Sequence, residues 1–165
     1  MVDCGALEQA RVELADGVLV ELSPQSEAHW RVVQALMRLL GGRIDLLRVQ
    51  APLAAAEGWT PEPDVALVEP SDVIERPTSA LLVVEVAVTS QQYDLTKADV
   101  FAGAAIPSYW IVDVPAQQVL VHTEPGADGY ATVRTLTGDG RLDPGVPGLE
   151  PFTVAELFAT AFGER

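Results

Sequence analysis

Three side chains of this 165-residue chain have the types and spacing that phosphodiester chemistry uses: Asp64, Glu85 and Lys97. Glu85 interrupts the aliphatic run Ala80-Leu-Leu-Val-Val-Glu-Val-Ala-Val88. An ionised glutamate inside such a strand is costly unless it is paired, hydrogen-bonded or bound to metal, so Glu85 demands a partner. Asp64 ends Pro61-Glu-Pro-Asp64, a stiff extended approach to the short apolar run Val65-Ala-Leu-Val68. It stands 21 residues before Glu85, and consecutive strands are usually neighbours, so the two carboxylates can converge at one end of a sheet. Carboxylates that close repel unless a divalent cation lies between them, and magnesium or manganese suits oxygen-only ligands of this kind. Lys97 follows Glu85 by 12 residues and is the only lysine beside nine arginines; lysine offers a compact, adjustable ammonium where arginine offers a broad fork. In phosphodiester hydrolysis the metal activates water and neutralises phosphoryl oxygens, while an ammonium stabilises the charge of the transition state. No glycine-rich phosphate loop, paired metal-binding histidines or Gly-Xaa-Ser-Xaa-Gly elbow competes for the assignment.

The elements that must position these groups alternate between strand and helix periods. Arg11–Leu14 and Val18–Leu22 flank Ala15-Asp-Gly17, a hairpin whose Asp-Gly step favours a tight turn. Ser26 caps a helix over Glu27–Leu40, with Val33, Leu36, Met37 and Leu40 on one face and Gly41-Gly42 at its end. Arg43–Leu53 reads as a strand alternating at Ile44, Leu46 and Arg48. Strands at 65–68 and 80–88 follow, and the second is apolar enough to be covered on both faces. Asp94–Ala105 is a helix packing through Leu95, Ala98, Val100 and Phe101, which places Lys97 on its first turn, over the mouth of the sheet. Strands at 109–113, 118–122 and 130–136 form a meander, and Val154–Phe162 is a terminal helix.

Length and a 48% hydrophobic content predict one domain over residues 1–165 with a single core. The first twenty residues lack the apolar block of a signal peptide, and no run approaches a membrane span, so a soluble cytoplasmic protein is expected. Cys4, alone, can form neither an internal disulfide nor a cysteine-based metal site and reads as an inert surface thiol. A net charge of −14 repels polyanions and argues against tight nonspecific DNA binding, although bound metal reverses the local sign.

Several other residues carry two readings each. Glu13 is either a third carboxylate or a solvent-facing strand glutamate. His29 either reaches the cluster or is a half-buried structural histidine. Asp113 either orients Lys97 or starts a turn, and Asp94 suits the helix dipole better than catalysis. His122 is assigned no role, and Trp30, Trp59 and Trp110 are expected to pack, since no basic groove accompanies them.

The chain resembles the restriction endonucleases of the Uma type, a branch of the PD-(D/E)XK nuclease superfamily. The resemblance runs through Glu13-Leu-Ala-Asp-Gly17, Ser23-Pro24 with His29, Pro63-Asp-Val65, Val83-Val-Glu-Val86, Asp94, Lys97 and Ile106-Pro-Ser-Tyr-Trp-Ile-Val-Asp113. It implies a restriction-endonuclease-like α/β fold, a mixed sheet flanked by helices. Asp64, Glu85 and the Val86 backbone carbonyl are then metal ligands, Mg2+ or Mn2+ the cofactor, and DNA the substrate. The superfamily's lysine usually sits two residues after the glutamate; Ala87 stands there, and Val88-Thr89 replaces a serine-proline step, so Lys97 must substitute from the helix. A homodimer is expected from the need to cut two strands. The alternative is a catalytically weak or inactive nuclease-fold module that binds or regulates through oligomerisation.

Overall fold

A computed structural model of the chain describes residues 12–21, 25–71 and 75–163; Cys4 lies outside them. Strands β1 (Val12–Ala15) and β2 (Val18–Glu21) form the expected hairpin, with Asp16 and Gly17 at φ 50° and 75°, the positive values that an Asp-Gly turn accommodates. The hairpin stays out of the main sheet and docks on a distant loop at residues 58–60, through Thr60 N–H to Leu14 O and Gly17 N–H to Gly58 O, both 3.0 Å.

Helix α1 (Glu27–Leu39) starts at Ser26, whose hydroxyl accepts from His29 N–H. A 3-10 turn at Gly41–Arg43 follows and corrects the expected long strand: β3 is only Leu47–Val49. Ile44, assigned to its apolar alternation, is 69% exposed, because the turn continues through it and Arg43 clasps Asp45 at 2.8 Å. The main sheet runs β3-β4-β5-β6-β7-β8, with β4 Val65–Leu67, β5 Leu82–Ala87, β6 Ser108–Asp113, β7 Gln118–Gly126 and β8 Gly129–Thr137. Only β5 and β6 are parallel, joined by helix α2 (Gln91–Gly103) as the crossover that parallel neighbours require. Two short strands, β9 (Arg141–Leu142) and β10 (Phe152–Thr153), pair apart from it and lead into helix α3 (Val154–Phe162), fixed by a Thr153/Glu156 capping box.

The sheet separates two cores. Val65, Val84, Trp110 and Val121 meet Val32, Val33 and Leu36 of α1 and Leu157 and Phe158 of α3. On the other face Val83, Tyr109 and Ile111 meet Ala98 and Phe101 of α2. Helix α2 begins three residues earlier than expected, so Lys97 lies on its second turn, and Leu95, assigned to packing, is exposed. Its buried stripe is instead Asp94, Lys97, Ala98, Phe101 and Ala102, with two charged groups on the inward face.

Candidate active site

Strand pairing sets the two carboxylates side by side. In the register of β4 with β5, Val65 opposes Val84, so Asp64 arrives beside Glu85 at the end of the sheet. The backbones confirm the meeting: Val86 N–H donates to Asp64 Oδ2 at 2.9 Å, and Asp64 N–H donates to Glu85 Oε2 at 3.3 Å. His29, from the first turn of α1, places Nε2 2.9 Å from Asp64 Oδ2, which fixes its proton on that nitrogen; its Nδ1 is buried without a hydrogen-bond partner among the described residues.

Lys97 reaches the same point from α2. Its Nζ lies 2.8 Å from Glu85 Oε1, 3.0 Å from Glu13 Oε2 and 3.9 Å from Asp94 Oδ1, and the residue is 3% exposed. Burial alone would lower the Lys97 pKa, but the charges of Glu85 and Glu13 outweigh it and raise the value, so the ammonium persists. Burial pushes the Glu85 carboxyl well above its usual 4.5; Lys97 opposes this, and the carboxylates of Asp64, Asp94 and Glu13 add to it. Asp94 is raised as well, chiefly by burial, against the pull of the Ser90 hydroxyl that donates to it at 2.6 Å and of Lys97. The partner that Glu85 demanded is therefore Lys97.

Glu13 is the residue whose two readings the structure separates most clearly. At 2% exposure it is not a solvent-facing strand glutamate; the hairpin points it inward and leaves Val18 and Leu19 outside. It accepts from Glu62 N–H at 2.9 Å and Tyr93 O–H at 3.2 Å besides holding Lys97. Tyr93 went unnoticed in the sequence. It stands one helical turn before Lys97, with its ring centroid 4.9 Å from the ammonium, and its hydroxyl is pushed up to about 12 by burial and by Glu13. A helix beginning at residue 91 carries that signal, and one beginning at 94 hides it.

Other candidates fall outside the cluster. Asp113 starts the turn after β6, accepting from Ala116 N–H, Gln91 and Gln118, each at 3.1 Å; its described bonds do not include Lys97. His122 packs in an aromatic group with Tyr109 and Tyr130, with Nδ1 3.2 Å from Tyr109 O and a pKa lowered by burial. Trp110 is buried as expected, whereas Trp30 is 41% exposed on α1, beside Arg31, Gln34 and Arg38. A cavity of about 500 Å3 opens at the opposite end of β4 and β5, lined by Arg48, Glu69 and Arg76 among others. Volume alone favours that cavity, but the buried ionisable groups gather at the Asp64 end, and buried, perturbed groups are the better mark of chemistry.

In kind, the donors at this end fit a hard divalent cation: carboxylate oxygens and a strand backbone, with no thiolate among the described residues. In arrangement, no group of three or more His, Cys, Asp or Glu among the described residues closes on one point as a ready-made metal cage. Glu85 instead faces the ammonium.

Comparisons with known proteins give the fold and the family. The chain is similar to a crystal structure of a "putative nuclease belonging to DUF820" from Anabaena variabilis, at 14% identity and a TM-score of 0.70 over 93% of each chain, which shows a shared fold. Among curated proteins none matches. The family model Uma2, described as "Putative restriction endonuclease", matches residues 4–155, nearly the whole chain. The chain belongs to the Uma2 family.

Proposed function

We propose that this protein is a divalent-metal-dependent endonuclease hydrolysing DNA phosphodiester bonds, with Asp64, Glu85 and the Val86 carbonyl as metal ligands and Lys97 acting at the transition state. One observation carries the reading: Glu13, Asp64, Glu85, Asp94 and Lys97 are all buried together at one end of β4 and β5, two strands whose other residues are apolar. Folding gains little from such a cluster, since a buried ion pair seldom outperforms apolar packing, whereas phosphodiester hydrolysis needs it.

Bound magnesium or manganese would supply an activated water and neutralise the phosphoryl oxygens. The chain's own residues supply the rest. Val86 N–H and His29 fix Oδ2 of Asp64 and so hold its carboxylate in one orientation. Because the N–H and C=O of a strand residue point the same way, the Val86 carbonyl faces the gap that its N–H faces, where Pro63 has no N–H to donate to it. Glu13 and Tyr93 keep the Lys97 ammonium at the mouth, where it can donate to a phosphoryl oxygen as charge develops there. The reading places this activity in a single domain, in the cytoplasm, and in a homodimer whose twofold would present two sites to two strands.

A second reading, a nuclease-fold module that binds rather than cuts, is favoured by the net charge of −14 and by the absence of a ready-made cage among the described residues. Nicking of supercoiled plasmid separates the two. The endonuclease reading expects relaxation of the plasmid with Mg2+ or Mn2+, none with EDTA, and loss in Asp64→Asn and Glu85→Gln. Folded protein that nicks nothing at any salt concentration supports the binding module instead.

A further inference from the structure

Lys97 is held by three carboxylates of the protein itself. Its ammonium contacts Glu85 Oε1 at 2.8 Å, Glu13 Oε2 and Oε1 at 3.0 and 3.2 Å, and Asp94 Oδ1 at 3.9 Å, under the Tyr93 ring. Glu85 is equally committed: Oε1 takes Lys97 and Oε2 takes Asp64 N–H. A divalent ion on Glu85 would sit about 2 Å from an oxygen of a carboxylate that already holds an ammonium through Oε1. Two cations sharing one carboxylate in a poorly hydrated site repel strongly.

We propose that Lys97 is the resting counter-ion of the site, occupying Glu85 in place of metal, and that a phosphodiester group admits the metal by drawing the ammonium onto its own oxygens. This rests on the reading of Asp64 and Glu85 as metal ligands and adds how their loading is controlled. It accounts for a cluster with the right donors but no open cage. Nucleic acid then raises metal affinity and, by linkage, metal raises nucleic-acid affinity by the same factor. In a chain of net charge −14 that coupling also makes polyanion binding weaker without metal than with it.

Mn2+ titrated into EDTA-stripped protein, read by the EPR signal of the free ion with and without a hydrolysis-resistant phosphorothioate duplex, tests this without turnover. The wild type should bind Mn2+ weakly alone and about tenfold more tightly with the duplex. Lys97→Gln, neutral and of similar length, should bind Mn2+ about tenfold more tightly than the wild type with no duplex present, and the duplex should add little. Because Lys97→Gln can fail to fold, the wild type gives a second arm: duplex affinity by fluorescence anisotropy must rise with Mn2+ by the factor seen in the metal titration. Wild type that binds Mn2+ equally with and without duplex, or a folded Lys97→Gln that binds it no better, overturns the counter-ion role and leaves the metal ligands standing. No Mn2+ binding by either protein under any condition overturns both.

Discussion

Strand β5 presents two faces of opposite character to two cores. Leu82, Val84 and Val86 turn towards α1 and α3, where β5 contributes only hydrocarbon. Val83, Glu85 and Ala87 alternate with them and turn towards α2, where Glu85 meets Lys97. The first face stabilises the fold by removing apolar surface from water. The second spends part of that stability on desolvated charge. One six-residue strand thus shows where packing is optimised and where chemistry has displaced it.

Removing the cation from the charged face should have the largest effect. Lys97→Met leaves Glu13, Glu85 and Asp94 buried without a counter-ion and should cost roughly 3–5 kcal/mol in urea unfolding. A cost below about 1 kcal/mol would mean that the face is wetter than its burial indicates. On the hydrocarbon face, Leu82→Ala, at a fully buried position, should cost about 3 kcal/mol. It should leave metal affinity unchanged, since Leu82 touches none of the site; a loss of Mn2+ binding in a folded Leu82→Ala protein would break the separation of the two faces.

The faces should also differ in pH dependence. Glu85 and Asp94 titrate higher in the folded protein than their ordinary values of 4.5 and 3.8. Their folded forms therefore hold protons that the unfolded chain releases. Their contribution is complete below those ordinary values and is lost as pH rises through the raised ones. Metal-free protein should lose stability as pH climbs above 4.5, Glu85→Gln should flatten that fall, and Leu82→Ala should keep it. Denaturant midpoints across the pH series measure all three slopes. The smallest change is Tyr93→Phe, which deletes the hydroxyl bonded to Glu13 and should cost about 1 kcal/mol by the same unfolding assay.

The contrast between the faces also explains what was legible from residues alone. Glu85 was legible because a charge inside an aliphatic run violates the burial rule wherever the strand is placed. Asp64 was legible through spacing, since the proline before it sets it at the mouth of a strand and consecutive strands are usually neighbours. Lys97 stood out as the only lysine, but nothing in the residues chose between the two readings of Glu13. Glu13 lies on a hairpin outside the sheet, and only tertiary docking turns it inward. Asp94 and Tyr93 depend on where α2 begins, and Ser90, the residue at its cap, bonds the Asp94 side chain instead of a backbone N–H. The expected strand over 43–53 failed because the turn at Gly41–Arg43 carries through Ile44, whose apolar side chain periodicity alone assigns to a strand. Strands β9 and β10, two residues each, are too short for any period to reveal.

The most direct test of the account is a crystal structure of the protein with Mn2+ and a phosphorothioate duplex, using the anomalous signal of manganese. The account predicts a peak within about 2.0–2.6 Å of Asp64, Glu85 and the Val86 carbonyl, with the Lys97 ammonium moved from Glu85 to a phosphate oxygen. Manganese bound elsewhere, or a duplex-bound site in which Lys97 still holds Glu85 and no metal touches Asp64, would contradict it.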